Sequence, residues 1–518
     1  MKNAMPNPTR AALPAVALAT LLSACAATPS DLATAAPAPM VAEAEAPQSA
    51  EAAARYHLER IARLDDAGPR LNSVIAINPA APEDAAQAEA AGLPLAGRTV
   101  LVKDNIETRE LPTTAGSLAL ADNTTGRDAP MIANLRRAGG VVLGKANLSE
   151  WANIRDDDST SGWSAVGGLT RNPHAIDRNA CGSSSGSGAA VAAGFAWAAI
   201  GTETNGSITC PASANGVVGF KPTVGLVSRT HVVPISTTQD TAGPMARTVK
   251  DAAVLLTAIA GSDPADPATA EADARRTNFA AGLDTASLHG MRVGVLRGQV
   301  GDRDDLKAVF EQALADMERA GATLVDIEFE ANNEMYGENF AVLLFELRES
   351  MGEYLRSLPG RNLPRSLADL IAFNEAHPRE EMRWFDQDIF VQAENTTDRA
   401  AYEKSRESAI RIAGAETMDR LLAEHDVDVL VAPTRGPAWT SDLVNGDNFG
   451  GSVGFGGPAA IAGYPHLTVP MGAVEDLPVG ISFLGGKWRD AAVLRAGAAY
   501  EKVRTAAVPE PSFERWEP

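Results

Sequence analysis

The chain of 518 residues is 45% apolar and carries a formal net charge of −21. It is long enough to bury a large core, as one large α/β unit or as two or three domains. The surplus of carboxylates opposes nucleic-acid phosphates, so polyanion binding is disfavoured as a role.

In chain order, the first element is a targeting segment. Lys2 and Arg10 supply positive charge ahead of "AALPAVALATLLSA", an apolar stretch too short to span about 30 Å of hydrocarbon. Residues 1–24 therefore read as a signal peptide. "LSAC" (Leu22 to Cys25) resembles the lipobox of bacterial lipoproteins, which implies lipidation at Cys25; the alternative is an ordinary cleaved signal with a chance cysteine. By resemblance to lipoprotein sorting rules, Ala26 after the cysteine implies the outer membrane, with the protein facing the periplasm or the cell surface. Residues 25–50 are Ala/Pro-rich and read as a tether, and residues 51–518 as one folded domain.

From Glu51 helical patterns begin. "RTVLVKDN" reads as a buried strand, and "MIANLRRAGGVVLGKAN" as a helix followed by a strand. This alternation continues, which argues for an α/β layered fold. "GSDPADPATAEADA" (261–274) reads as a surface connection, and "MRVGVLRG" and "VDVLVAPT" as later strands between long helices.

Two serine-rich stretches, "CGSSSGSG" (181–188) and "TETNGSI" (202–208), frame "AAVAAGFAW", read as a close-packed helix, and "AWAAIGT", read as a returning strand. A helix of about ten residues advances roughly 15 Å. About five strand residues return roughly 16 Å. Ser183 and Ser207 are thereby able to meet.

A serine hydroxyl needs a base. None of the seven histidines lies in or near either serine loop. Lys103, at the end of the strand "TVLV", is the candidate: burial without a carboxylate partner lowers a lysine pKa and leaves neutral amine. Asp104 adjoins it, but successive strand side chains point to opposite faces.

"VKDN", "CGSSSGSGAAVAAG" and "GTETNGSITCPASANGVVGFKPT" resemble the three parts of the amidase signature family, across nearly the whole chain after residue 51. The resemblance implies a mixed central β-sheet sandwiched between helical layers and a Ser, cis-Ser, Lys triad, with Ser207 as nucleophile, Ser183 as bridging serine after a non-proline cis peptide, and Lys103 as base. The main-chain N–H groups of Thr204, Asn205, Gly206 and Ser207 would form an oxyanion hole. "LSEWANIR" and "GLVSRTHVVPISTTQDTAGPMART" are most similar to bacterial peptide amidases, which implies C-terminally amidated peptides as substrates, with other amides as the alternative. Cys181, Ser185 and Asn205 stand where many relatives have Gly, and Glu203 where Asp is common.

Trp151, Asn153 and Ser184 are candidate substrate-binding positions, with core packing the competing reading for Trp151 and Asn153. Asp240 reads as a structural acceptor, Lys145 as a decoy base, and Trp384 with Phe385 as a cap over the site. Cys181 and Cys210 read as small buried fillers, with a single bridge as the alternative in an oxidising periplasm. No Cys or His pair has metal-ligand spacing, and neither metal nor organic cofactor is expected. No obligate protein partner is implied; the expected partners are an amide substrate and, through the lipid, a membrane.

Rival readings are an α/β-hydrolase with Ser184 at the centre of "GSSSG", the amidase subunit of a tRNA-dependent amidotransferase, and a non-catalytic peptide-binding lipoprotein.

Overall fold

The structure is a computed structural model that describes residues 47–449 and 453–517. The lipidation candidate Cys25, the signal peptide and most of the tether lie outside the described residues.

Eleven strands form one sheet: β1 (Val74–Ile77), β2 (Thr99–Lys103), β3 (Val141–Ala146), β4 (Ala198–Glu203), β5 (Val218–Lys221), β6 (Thr241–Ala246), β7 (Arg292–Val295), β8 (Thr323–Asp326), β9 (Val429–Pro433), β10 (His466–Val474) and β11 (Leu477–Leu484). Their spatial order is β1-β3-β2-β4-β6-β5-β10-β11-β9-β7-β8. β2 runs parallel to both neighbours, β3 and β4, whereas the pairs from β4 through to β9 are antiparallel. The mixed sheet anticipated from the family resemblance is present.

The helices that matter for the site and its support are α1 (Ala50–Leu64), α2 (Ser185–Ala192), α3 (Thr209–Ala214), α4 (Val249–Ile259), α5 (Asp304–Arg319), α6 (Glu334–Ser357) and α7 (Asp490–Val503). α1 starts where the helical pattern predicts, because the Ser49 hydroxyl accepts from Ala52 N–H and satisfies a first-turn amide. Both faces of the sheet are covered, so its central strands are apolar almost throughout. Val100, Val102 and Ile200 pack with Leu256 of α4, Phe310 of α5 and Leu494 of α7. Leu101, Leu143 and Ala199 pack on the other face with Ile61 of α1, Val191 of α2 and Ala212 of α3. The alternation in β2 sends Lys103 to the same face as Leu101, the face that carries α2.

One helix departs from expectation. α2 begins at Ser185, inside the serine-rich stretch, and ends before Gly194, whose φ of +72° suits glycine and breaks the helical path. The small residues permit this: a Cβ on Gly186 would sit 2.2 Å from the Ser73 carbonyl oxygen and 2.6 Å from the Asn147 main chain. The serines thus form the tight-packing start of the helix as well as the loop before it.

Candidate active site

Parallel neighbours β2 and β4 end side by side, and the turn into α2 lies against their ends. Lys103 and Ser183 are both fully buried there. Lys103 Nζ lies 2.8 Å from Ser183 Oγ and 2.8 Å from Thr202 Oγ1, and it donates to the Thr202 carbonyl at 3.2 Å. The Gly182–Ser183 peptide is cis. Ser183 is fixed further through its carbonyl, which accepts from Ser149 N–H at 3.0 Å.

Burial pushes the Lys103 amine down from the usual lysine range to about 7, and the nearby charges of Asp240 and Glu203 oppose that shift without cancelling it. Asp104 is not one of its partners. It faces Lys145 Nζ at 3.3 Å and accepts from the Thr114 hydroxyl and N–H. Lys145 is itself tied to the Ile106 carbonyl and the Thr113 hydroxyl, each at 2.8 Å, so it points away from the serines.

After β4 the chain turns through Thr204–Ser207 into α3. Gly206 has φ +82°, the left-handed conformation that L side chains avoid. Glu203 holds the turn closed: its Oε2 accepts from Ile208 N–H at 2.8 Å and Thr209 N–H at 3.0 Å. Asp240 holds it from the other side, accepting from the Thr204 hydroxyl at 2.6 Å and from Ile235 and Ser236 N–H at 2.7 and 2.8 Å. That is the structural acceptor role read from the sequence. None of the hydrogen bonds among the described residues uses the N–H of Thr204, Asn205, Gly206 or Ser207.

The Ser207 carbonyl accepts from Ser184 N–H at 3.0 Å, which joins the two serine loops main chain to main chain. A second link is covalent. Cys181 and Cys210 form a disulfide, so they are buried, as read from the sequence, but bonded rather than free fillers. The Ser207 hydroxyl makes no hydrogen bond to another described group, including Ser183. It opens instead on a cavity of about 250 Å³, whose walls include Gly182, Asn153, Ile154, Arg435, Trp439 and Phe449.

Three expectations need correction. Trp151 is buried in a cluster with Leu347 and Met351 of α6 and meets Phe390 edge-on at 5.9 Å, so it packs the core rather than lining the cavity; its neighbour Asn153 does line it. Ser184 is fully buried; its hydroxyl donates to the Thr202 carbonyl at 3.0 Å and accepts from Thr202 N–H at 3.2 Å, which removes it from substrate contact. Phe385 stacks edge-on against Trp163 at 5.2 Å beneath the Arg155 guanidinium, and neither it nor Trp384 borders the cavity.

Arg435, Trp439, Asp447 and Phe449 escaped the sequence reading. They follow β9, and the only local signal was a cation after the strand end in "VAPTRG". Among the described residues no group of three or more His, Cys, Asp or Glu is arranged to hold a metal ion.

The Amidase family model matches residues 55–494, and the chain belongs to the amidase signature family, whose members are amide-hydrolysing enzymes. Its similarity to particular relatives is high over nearly the whole length. A probable amidase from Arabidopsis thaliana is 37% identical over 479 residues, covering 88% of this chain and 87% of that protein. The crystal structure of a native peptide amidase from Stenotrophomonas maltophilia superposes with a TM-score of 0.84 at 46% identity, covering 90% of this chain and 95% of that one. A peptide amidase structure with the competitive inhibitor chymostatin gives a TM-score of 0.86 at 47% identity, covering 89% and 96%.

Proposed function

We propose that this amidase hydrolyses the terminal carboxamide of peptides, releasing ammonia, with Lys103, Ser183 and Ser207 as its proton relay and nucleophile. The observation that carries the reading is the 2.8 Å contact between Lys103 Nζ and Ser183 Oγ in a site that lowers the lysine pKa to about 7. A neutral amine has two N–H donors and one lone pair. The donors match the carbonyl and hydroxyl of Thr202, which leaves the lone pair for the Ser183 O–H. The peptide side of the reading is supported by the similarity to peptide amidases.

In the reaction, substrate binding brings the Ser207 hydroxyl into line with Ser183. Ser207 Oγ bonds to the carboxamide carbon and gives its proton to Ser183 Oγ, as Ser183 gives its own to Lys103 Nζ. The carbonyl π pair moves to oxygen and is met by the N–H groups of residues 204–207, a kind of donor worth about 3 kcal/mol each in the transition state. The C–N bond then breaks, the relay returns the proton to nitrogen and ammonia leaves. Water repeats the sequence on the Ser207 ester, releasing the carboxylic acid.

We propose further that the enzyme is exported and lipidated at Cys25. A disulfide is at home in an oxidising compartment, which favours export.

The test is ammonia release by the purified mature chain from amidated peptides, beside Ser207→Ala. The expected result is turnover by the parent and none by the variant at unchanged melting temperature. Equal release by both would overturn the assignment, and inertness of the parent toward every amide would overturn the substrate class.

A further inference from the structure

The lining of the cavity that Ser207 opens on includes a cation that the relay does not use. Arg435 follows β9, and its guanidinium carbon lies 3.8 Å from the Phe449 ring centroid and 6.0 Å from that of Trp439. Stacking fixes the guanidinium plane and leaves its N–H edge as the only direction for hydrogen bonds. Yet Arg435 Nε is buried without a partner, and no ion pair or hydrogen bond among the described residues includes this side chain. A buried donor left unpaired costs stability, so a site that keeps one open is set to meet an acceptor from outside.

The neighbouring carboxylate narrows what that acceptor is. Asp447 borders the same cavity, and its charge opposes the effect of burial on Arg435. Its own oxygens are already committed: Oδ1 accepts from Ser161 N–H at 3.1 Å, Trp439 Nε1 at 3.2 Å and Asn179 Nδ2 at 3.4 Å, and Oδ2 accepts from Ser161 N–H at 3.1 Å. The local charge is therefore balanced while the arginine donors remain open. A neutral carbonyl answers those donors and keeps the balance; a substrate carboxylate would bring a second negative charge beside Asp447.

We propose that Arg435 is a specificity-determining residue that donates to a main-chain carbonyl on the acyl side of the substrate, beyond the carboxamide that Ser207 attacks. This deepens the peptide-amide reading above and rests on it. It accounts for how the enzyme would tell a peptide amide from a simple amide such as hexanamide: only the former carries a second, main-chain carbonyl on its acyl side. Trp439 and Phe449 supply the apolar walls around the contact.

The experiment compares the parent, Arg435→Gln and Arg435→Lys on three substrates: an N-acetylated dipeptide amide, hexanamide and succinamic acid. The expected result for R435Q is a loss of about ten- to a hundredfold in kcat/KM on the peptide amide, carried mainly by KM, against less than about threefold on hexanamide. R435K, which keeps the charge, is expected to recover part of the loss. Equal losses on all three substrates, no loss on the peptide amide, or the largest loss on succinamic acid would each overturn the proposal. Binding of the same peptide amide is also measured by calorimetry in the Ser207→Ala background with and without R435Q. Weaker binding on adding R435Q is expected, and unchanged binding refutes the role of Arg435 even where no ammonia is released, so its failure stays distinct from failure of the amidase reading.

Discussion

Lys103 is a primary amine with no carboxylate in contact, sealed from water, and its chemistry and its cost have the same origin. Burial brings its pKa to about 7, so near neutral pH a large share of the enzyme carries the free base. We expect kcat/KM to rise with pH through an apparent pKa near 7 and then level off as Lys103 loses its proton. A profile flat from pH 5 to 9 would remove lysine as the base. Stability has a matching sign. Above the folded pKa and below about 10.5 the unfolded chain holds a proton that the folded one does not, so this residue makes stability rise with pH across that window, and its penalty is fully present below about pH 7. Lys103→Met should therefore lose about 100- to 10,000-fold in kcat/KM while melting no lower than the parent at pH 6. Pre-steady-state ammonia assays and calorimetry check the two halves separately.

Among the elements, the two serine loops are held to each other by the Ser184–Ser207 main-chain bond and by the Cys181–Cys210 disulfide, 29 residues apart in sequence. Closing a loop of that length restricts the unfolded chain by about 3 to 4 kcal/mol in the chain-entropy picture. The double variant Cys181→Ala, Cys210→Ala should unfold at clearly lower denaturant than the oxidised parent, and the parent under reducing conditions should behave like the variant. Identical midpoints would mean that the bridge adds nothing to the fold. Much of this region was legible in sequence because its signals are local. The apolar run ending at Lys103 and the strand between the serine loops read directly onto β2 and β4, and the helix between them was anticipated but starts four residues earlier, at Ser185. What escaped is non-local. Arg435 reaches the cavity only because β9 lies across the sheet, and the Cys181–Cys210 bridge was readable only as the alternative to free thiols, since no spacing rule fixes the pairing. "SEWANIR" carried too little periodicity to separate Trp151, which faces α6, from Asn153, which faces the cavity.

For the whole molecule, the proposed lipid anchor is separable from the folded enzyme, because Cys25 precedes the first described helix by more than twenty residues. Cys25→Ser should shift the protein from the membrane fraction to the soluble fraction of its host while leaving ammonia release per molecule unchanged. Retention in the membrane would refute the anchor. The chain also divides its labour along its length. Every group proposed to move a proton or meet the developing oxyanion falls between Lys103 and Ser207, whereas Leu343 on α6 and Arg435, Trp439, Asp447 and Phe449 after β9 join the lining of the cavity from later in the chain. On the proposed reading, substitutions at Arg435 or in the aromatic rings beside it would alter which acyl chains are accepted while leaving Lys103, Ser183 and Ser207 in place, so descendants of one ancestral scaffold would be free to diversify their diet while keeping a single reaction.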